Sequence, residues 1–321
     1  MKKLVALLLA AVMIVGLCAC DAGKADGKYT IGICQWVQHP ALDAATEGFI
    51  AAVEKGLGKE NITWEIKNAS NDPATCTSIV TGFVSSKVDM IMANATPALT
   101  AAYNATEVIP ILGTSVTEYG VALGLKNFSG TVGGNVSGTS DLADLNKQAQ
   151  MIIDWCPDAK NVGLLYCSTE ANSGYQIKKV REYLEGKGLT CKDFPFSSTT
   201  DLNAVTEAAA AWSDAIYVPT DNTVATYATA ISGICVPAGV PIIAGEAGIC
   251  SGCGIATMSI DYYDLGVATG EMAVKILKGE AKISEMPIAY TPEEKIKKYY
   301  NKAICDEMGI DPLEGYEPLP Q

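Results

Sequence analysis

Apolar and polar positions alternate in blocks along this chain. Strand-like runs, most of them largely apolar, at 29–34, 62–67, 88–93 and 109–114 are separated by longer stretches with helical spacing at about 41–56, 73–86 and 97–105. Strands buried on both faces of a parallel sheet read as continuous apolar runs, and the stretches between these are long enough for crossover helices. The order βαβαβαβ therefore predicts a parallel sheet flanked by helices. After the glycine-rich stretch 130–134 the pattern restarts, with a helix near 141–155 and strands at 161–166, 190–194, 215–219 and 240–244. Two similar α/β lobes follow. A further strand-like run, 255–260, precedes an amphipathic segment at 262–277 that ends in Lys278-Gly279 in the manner of a helix C-cap. Elements placed so late suggest a chain that crosses between lobes more than once.

The N-terminus breaks the pattern. Lys2 and Lys3 precede an apolar run over 4–19, shorter than the roughly 20 residues that span a bilayer, which reads as a secretory leader rather than a retained anchor. Its end, Leu17-Cys18-Ala19-Cys20, resembles the lipobox of bacterial lipoproteins, with Cys20 as the lipidated first residue of the mature chain. Residues 20–27, with Asp21, Gly23, Lys24, Asp26 and Gly27, read as a flexible tether. The plainer alternative is a leader cut near Ala19. The expected location is the outer face of the cytoplasmic membrane, at the cell surface or in a periplasm.

Composition changes the picture in two respects. With 321 residues, 49% of them hydrophobic and 18% charged, the chain can bury one or two substantial cores. The formal net charge is −13, and loss of residues 1–19 removes two lysines and no acid, leaving −15. Such a surface repels nucleic acid and anionic lipid, so neither is an expected partner and attachment would come from the lipid. Of the eleven cysteines, Cys18 leaves with the leader and Cys20 is lipidated. The remaining nine are irregularly spaced and mostly sit in apolar runs, where a free thiol behaves as a small hydrophobe. Only Cys250-Ser251-Gly252-Cys253 has suggestive spacing. Without a second such pair, and with His39 as the single histidine, a loop pair with no catalytic role outweighs a metal or redox site.

Ligands of open parallel sheets bind at the carboxyl ends of the strands. In the first lobe those positions carry Gln35, Trp36, Gln38 and His39, then Asn68, Ser70, Asn71 and Asp72, then Asn94 and Thr96, then Ser115, Thr117 and Glu118. The second lobe offers Ser168, Thr169, Glu170, Asn172 and Ser173, then Thr220, Asp221 and Asn222, then Glu246, and last Asp261 with Tyr262. For any one of these, helix capping is the simpler role, and Asn71-Asp72-Pro73, Thr96-Pro97 and Asp141 suit it. Their abundance on both lobes, with almost no lysine or arginine, points to a small polar ligand held between the lobes.

Several stretches together resemble one family: QHPALDAATEGF (38–49), NASND (68–72), ATPA (95–98), TSVTE (114–118), GGNVSGTSDL (133–142), STEANS (168–173), AIYVPTDNTVA (215–225), AGEAG (244–248) and IDYYDLG (260–266). They are similar to ABC-transporter substrate-binding lipoproteins of the tryptophan- or aromatic-amino-acid-binding type. The resemblance implies a type I periplasmic-binding-protein fold: two Rossmann-like lobes with parallel sheets and a three-crossing hinge. The crossings are expected near 137–140, 260–262 and 282–286, with an N-lobe of 28–138 plus 262–283 and a C-lobe of 139–261 plus 284–321. It also implies a permease and an ATPase as partners, a monomeric receptor, and no cofactor, metal or catalytic residue. Many relatives carry an acid where this chain has Gln38, so ligand choice is expected to turn on that residue and on Trp36.

A zwitterionic ligand needs donors for its carboxylate and an anion for its ammonium. Amides at the N-termini of the helices after the third and fourth strands, with Thr96, Ser115 and Thr117, suit the carboxylate; Asp221 and Glu246 suit the ammonium. Trp36 either stacks on the ligand or packs under its loop, and His39, followed by Pro40, is expected to turn the chain. Asn68, Asn71, Glu170, Asn172, Thr220 and Asp261 complete the expected binding set. Two other functions compete. Gly248-Ile249-Cys250-Ser251-Gly252 has the form of a nucleophile elbow, which would make the chain an enzyme. A sugar or sugar-like signal could occupy the same cleft, although sugar sites favour Arg beside aromatics and the single arginine, Arg181, lies in a helical run.

Overall fold

The computed structural model describes residues 28–320; the expected leader, lipidated Cys20 and tether up to residue 27 lie outside them. The chain begins β1 (Tyr29–Gln35), α1 (Pro40–Leu57), β2 (Ile62–Asn68), α2 (Pro73–Ser86), β3 (Met90–Asn94), α3 (Thr96–Ala105), β4 (Ile111–Val116), α4 (Tyr119–Ala122) and β5 (Val136–Ser140). It continues with α5 (Leu145–Trp155), β6 (Asn161–Cys167), α6 (Ala171–Gly186), β7 (Thr190–Phe196), α7 (Leu202–Trp212), β8 (Ala215–Val218), α8 (Asn222–Cys235), β9 (Ile242–Ala244), α9 (Ala247–Cys253) and β10 (Ala256–Ser259). It ends with α10 (Tyr262–Leu277), β11 (Ala289–Tyr290), β12 (Lys297–Tyr300), α11 (Lys302–Met308) and β13 (Glu317–Pro318).

Two sheets result, in the orders β11-β5-β4-β3-β1-β2 and β13-β12-β10-β9-β8-β6-β7. All their pairings are parallel except β10 with β12. Each sheet is apolar on both faces. In the first lobe Ile31, Ile33, Met90 and Met92 face one layer, while Cys34, Ile91, Ala93 and Ile111 face the other. In the second, Leu164 and Tyr217 oppose Leu165 and Val218 in the same way. The helices start where the sequence places breakers and caps: Pro40, Pro73 and Pro97 occupy first turns, and the Asp72 carboxylate accepts from Thr75 N at 2.6 Å.

The chain passes between lobes after β5, between β10 and α10, and between β11 and β12. The last passage lies beyond the expected 282–286, because Ala289 and Tyr290 pair with Thr139 and Ser140 at the edge of the first sheet. Segment 284–290 is thus built into the first lobe rather than the second, and Thr139 and Ser140 belong to β5.

Helix α10 follows the last central strand of the second sheet yet packs on α1 of the first lobe. The two helices run parallel and closely apposed: a Cβ added at Gly266 would lie 2.0 Å from Ala45 O, and one at Gly48 would lie 2.1 Å from Tyr263 O. This packing carries Tyr262 to the hinge. Gly266→Ala should destabilise the protein by about 1–3 kcal/mol in denaturant melts, since overpacking against backbone outweighs the roughly 1 kcal/mol that alanine gains in a helix. A more stable variant would show that the helices are free to separate.

Candidate functional site

The carboxyl ends of both sheets open onto one cleft, which contains two cavities. The outer, of about 620 Å³, is walled by Trp36, Asn71 and Thr96 from the first lobe and by Glu170, Phe196 and Thr223 from the second. The inner, on the hinge side, is closed down to about 10 Å³, room for a single water. Its walls include Ser115, Thr117, Asp141 and His39 on one side and Asn172, Thr220, Asp221 and Glu246 on the other, with Tyr262 beside them.

Two side-chain contacts latch the lobes across the cleft. His39 Nε2 donates to Asn222 Oδ1 at 3.2 Å, and Asn71 Nδ2 donates to Thr223 Oγ1 at 3.4 Å. Glu170 organises the second half of both: its carboxylate accepts from the Asn222 backbone N–H and amide (3.0 and 2.6 Å) and from the Thr223 backbone N–H and hydroxyl (2.9 and 2.8 Å).

Four buried carboxylates border this surface, and backbone donors neutralise three of them. Asp221 takes Val224 N–H at 2.8 Å on one oxygen and Cys167 N–H and the Ser173 hydroxyl at 2.7 and 2.8 Å on the other. Glu246 takes the Gly248 and Ile249 N–H groups at the start of α9, and Glu170 is saturated as described. Asp141, directly after β5, differs. Its Oδ2 accepts from the Tyr262 hydroxyl at 3.1 Å, while its Oδ1 is buried with no partner. Burial pushes the Asp141 carboxyl up to about 6, opposed by the neighbouring Thr117 and Tyr262 hydroxyls. Burial also raises Asp221, aided by the Glu170 charge, and raises Glu246, with His39 pulling the other way.

Three more wall residues keep unpartnered buried atoms, Ser115 Oγ and Asn172 Oδ1 around the inner cavity and Trp36 Nε1 at the outer one. The Asn172 amide nitrogen is already committed to Thr220 O at 3.0 Å, which turns its oxygen the other way. Backbone strain gathers at the same strand ends: Ser70, Asn71, Ala95 and Ser115 all have left-handed φ, between 54° and 88°.

Of the expected residues, Trp36, Asn71, Thr96 and Glu170 meet around the outer cavity, and Ser115, Thr117, Asn172, Thr220, Asp221 and Glu246 around the inner one. Three lie elsewhere. Gln38 is exposed and lines neither cavity, Asn68 closes a turn by accepting from Ser70 N, and Asp261 is exposed and caps α10 through Asp264 N. Neither Asp221 nor Glu246, the two expected partners of the ammonium, suits it, because both oxygens of each are spent inside the second lobe. Nor does the helix after the fourth strand suit a carboxylate, since Glu118 Oε2 already accepts from Val121 N at 2.5 Å. The sequence reading passed over Asp141 as a cap. The signal was present in GGNVSGTSDL, which ends in a strand and an acid, but its glycines and serines hid the strand.

The competing chemistries lack their geometry. Cys250 is buried inside α9 with its thiol turned to Gly254 O and held well above its ordinary pKa by burial, so no nucleophile elbow forms. Arg181 pairs with Glu185 and Asp193 on the far side of α6, away from both cavities. Among the described residues no cluster of three or more His, Cys, Asp or Glu side chains could hold a metal, and no helix is long and apolar enough to cross a membrane.

A family profile described as "ABC transporter substrate binding protein" matches residues 30–314. The chain belongs to that family. This substrate-binding protein is 36% identical over 310 residues to a curated tyrosine-binding protein of Clostridioides difficile (strain R20291), covering 92% of this chain and 89% of that one. It superposes with a TM-score of 0.84 on an ABC domain from Streptococcus pneumonia in complex with L-Trp, at 31% identity over 89% of this chain and 96% of that one. A ligand-free, open substrate-binding protein with adhesive properties from Clostridium difficile is 37% identical, over 91% and 100% of the two chains, yet superposes with a TM-score of only 0.69. The better fit to the liganded relative, despite its lower identity, agrees with the cross-lobe latches: the substrate-binding protein described here is closed.

The raised Asp141 carboxyl sets a pH signature. Its folded value, about 6, exceeds the ordinary 3.8, so its contribution to stability is greatest below about pH 4 and is lost as pH rises through 6. Asp141→Asn should therefore match the ligand-free wild type near pH 4 and exceed it near pH 7.5 by an amount on the order of 3 kcal/mol. Paired thermal melts check this; an advantage for the variant that does not grow with pH would refute the assignment.

Proposed function

We propose that this substrate-binding protein captures an aromatic amino acid, tyrosine or tryptophan, in the interlobe cleft and delivers it to an ABC importer. The observation that carries the reading is the pairing in one chamber of two buried acceptors without donors, Asp141 Oδ1 and Asn172 Oδ1. An ammonium supplies donors and a compensating charge together, as burial of a carboxylate requires. Donors for a ligand carboxylate stand beside it. Ser115 Oγ is unpartnered, and α3, over the neighbouring strand, begins at Ala95 with no side chain capping its first N–H groups.

The strand orders extend the argument to the side chain. From the hinge outward the first sheet presents Asp141, Ser115, Thr96 and Trp36 in turn, at the carboxyl ends of β5, β4, β3 and β1, and the second presents Glu246, Asp221, Glu170 and Phe196 at those of β9, β8, β6 and β7. A ligand with its polar end at the hinge thus extends its side chain into the larger outer cavity, between Trp36 and Phe196, which suits an aromatic ring. The ligands named for the two relatives support the same class. In this reading the protein is tethered through lipid on Cys20, works as a monomer, performs no catalysis, and presents its closed form to a permease coupled to an ATPase.

Thermal-shift titration against the amino acids, with sugars and nucleosides as controls, tests the reading. L-Tyrosine or L-tryptophan at a hundredfold excess over Kd should add about 2.7 kcal/mol of stability. Asp141→Ala should weaken that ligand by about 30-fold or more, as loss of one partner from a buried charge pair does. Because the ammonium needs the ionised carboxylate, wild-type affinity should fall as pH drops below 6. Stabilisation by a sugar alone would overturn the proposal.

A further inference from the structure

The first lobe holds a pair of adjacent buried thiols to which the proposed function assigns no role. Cys34, next to last in β1, and Cys76, in the first turn of α2, bring their sulfur atoms to 3.6 Å. Among the described residues, all nine cysteines are free and no other two thiols are in hydrogen-bond contact. The partners are unequal. The two thiols share a hydrogen bond in which either sulfur can donate; it lowers the Cys76 pKa against the effects of burial and of Asp72, and with burial it drives Cys34 up. Cys76 also sits in a helix N-terminal turn, where the dipole favours a thiolate. Of the two, only Cys76 forms part of the outer cavity wall.

We propose that Cys34 and Cys76 are a thiol–disulfide exchange site, with Cys76 as the attacking and Cys34 as the resolving thiol, reached through the cleft by small uncharged disulfides. The Cys76 thiolate attacks one sulfur of the reagent; the reagent S–S bond breaks, and its second half leaves as a thiolate that takes a proton from water. Cys34 then loses its proton and attacks Cys76 Sγ, forming the protein disulfide and releasing the reagent's other half as thiol. The protein pair is oxidised by two electrons and the reagent is reduced to two thiols. Shortening a 3.6 Å contact to a covalent bond draws the first turn of α2 toward β1. That turn follows directly on Asn71, which latches to Thr223, so the exchange bears on cleft closure. Conversely, a closed and filled cleft shields Cys76.

The test uses the purified protein, reduced and then exposed to hydroxyethyl disulfide, with non-reducing peptide mass spectrometry over time. The Cys34–Cys76 cross-link should form before any other thiol reacts. Cys34→Ser should stop at a mixed disulfide on Cys76, and Cys76→Ser should leave Cys34 unmodified; melts of the reduced variants establish that both fold. Faster labelling of another cysteine, or a mixed disulfide on Cys34 in folded Cys76→Ser, would overturn the proposal. L-Tyrosine added beforehand should slow cross-linking several-fold. If the cross-link forms as expected but L-tyrosine gives no protection, the exchange site stands and the failure counts against the amino-acid ligand.

Discussion

Burial of negative charge on a surface without arginine is the constraint on which this cleft depends. Asp141, Glu170, Asp221 and Glu246 are all buried where the lobes meet. An isolated buried carboxylate is strongly unfavourable, so each needs donors. Helix N-termini supply them: Asp221 and Glu246 cap their own helices, and Glu170 reaches from the start of α6 to the first residues of α8. These contacts position Asn222 and Thr223 for the first lobe's latches. Asp141 alone of the four keeps a buried oxygen without a donor among the described residues.

The hinge shares this chemistry. Asp141 lies on the first passage between lobes and Tyr262 on the second, and the bond from the Tyr262 hydroxyl to Asp141 Oδ2 ties the two together. In the proposed reading, a cation on the other oxygen would hold the carboxylate ionised and strengthen that bond, coupling ligand occupancy to hinge geometry through one side chain. The close packing of α10 on α1 makes the coupling rigid, since Tyr262 begins a helix that is anchored to the first lobe along its length.

Most of the fold was legible because parallel strands buried on both faces leave unmistakable apolar runs. β1, β3, β6 and β8 are read from composition alone. β5 was harder, for its sequence Val-Ser-Gly-Thr-Ser is buried through hydroxyl pairing rather than apolar contact, as between Thr139 and Thr269. β11 contributes only Ala289 and Tyr290, too short for any periodicity, and its pairing displaced the third passage from its expected place.

For the site, the sequence by itself determined the inventory: which polar residues stand at the carboxyl ends of strands follows from one-dimensional order once the strands are known. It also determined the family, because those stretches resemble known relatives as a set. Only the tertiary structure decided which members of the inventory line the cleft and which of those keep open hydrogen-bonding groups. Gln38, Asn68 and Asp261 are within three residues of the cleft in sequence but turned out of it, and Asp221 is inside it but saturated. Asp141 and His39, read as a cap and a turn, stand at its centre. The physical reason is that hydrogen-bond saturation is a property of three-dimensional neighbours. Glu246 is spent on its own helix, but the second oxygen of Asp221 is filled from Cys167, 54 residues away, and no local pattern records such a donor.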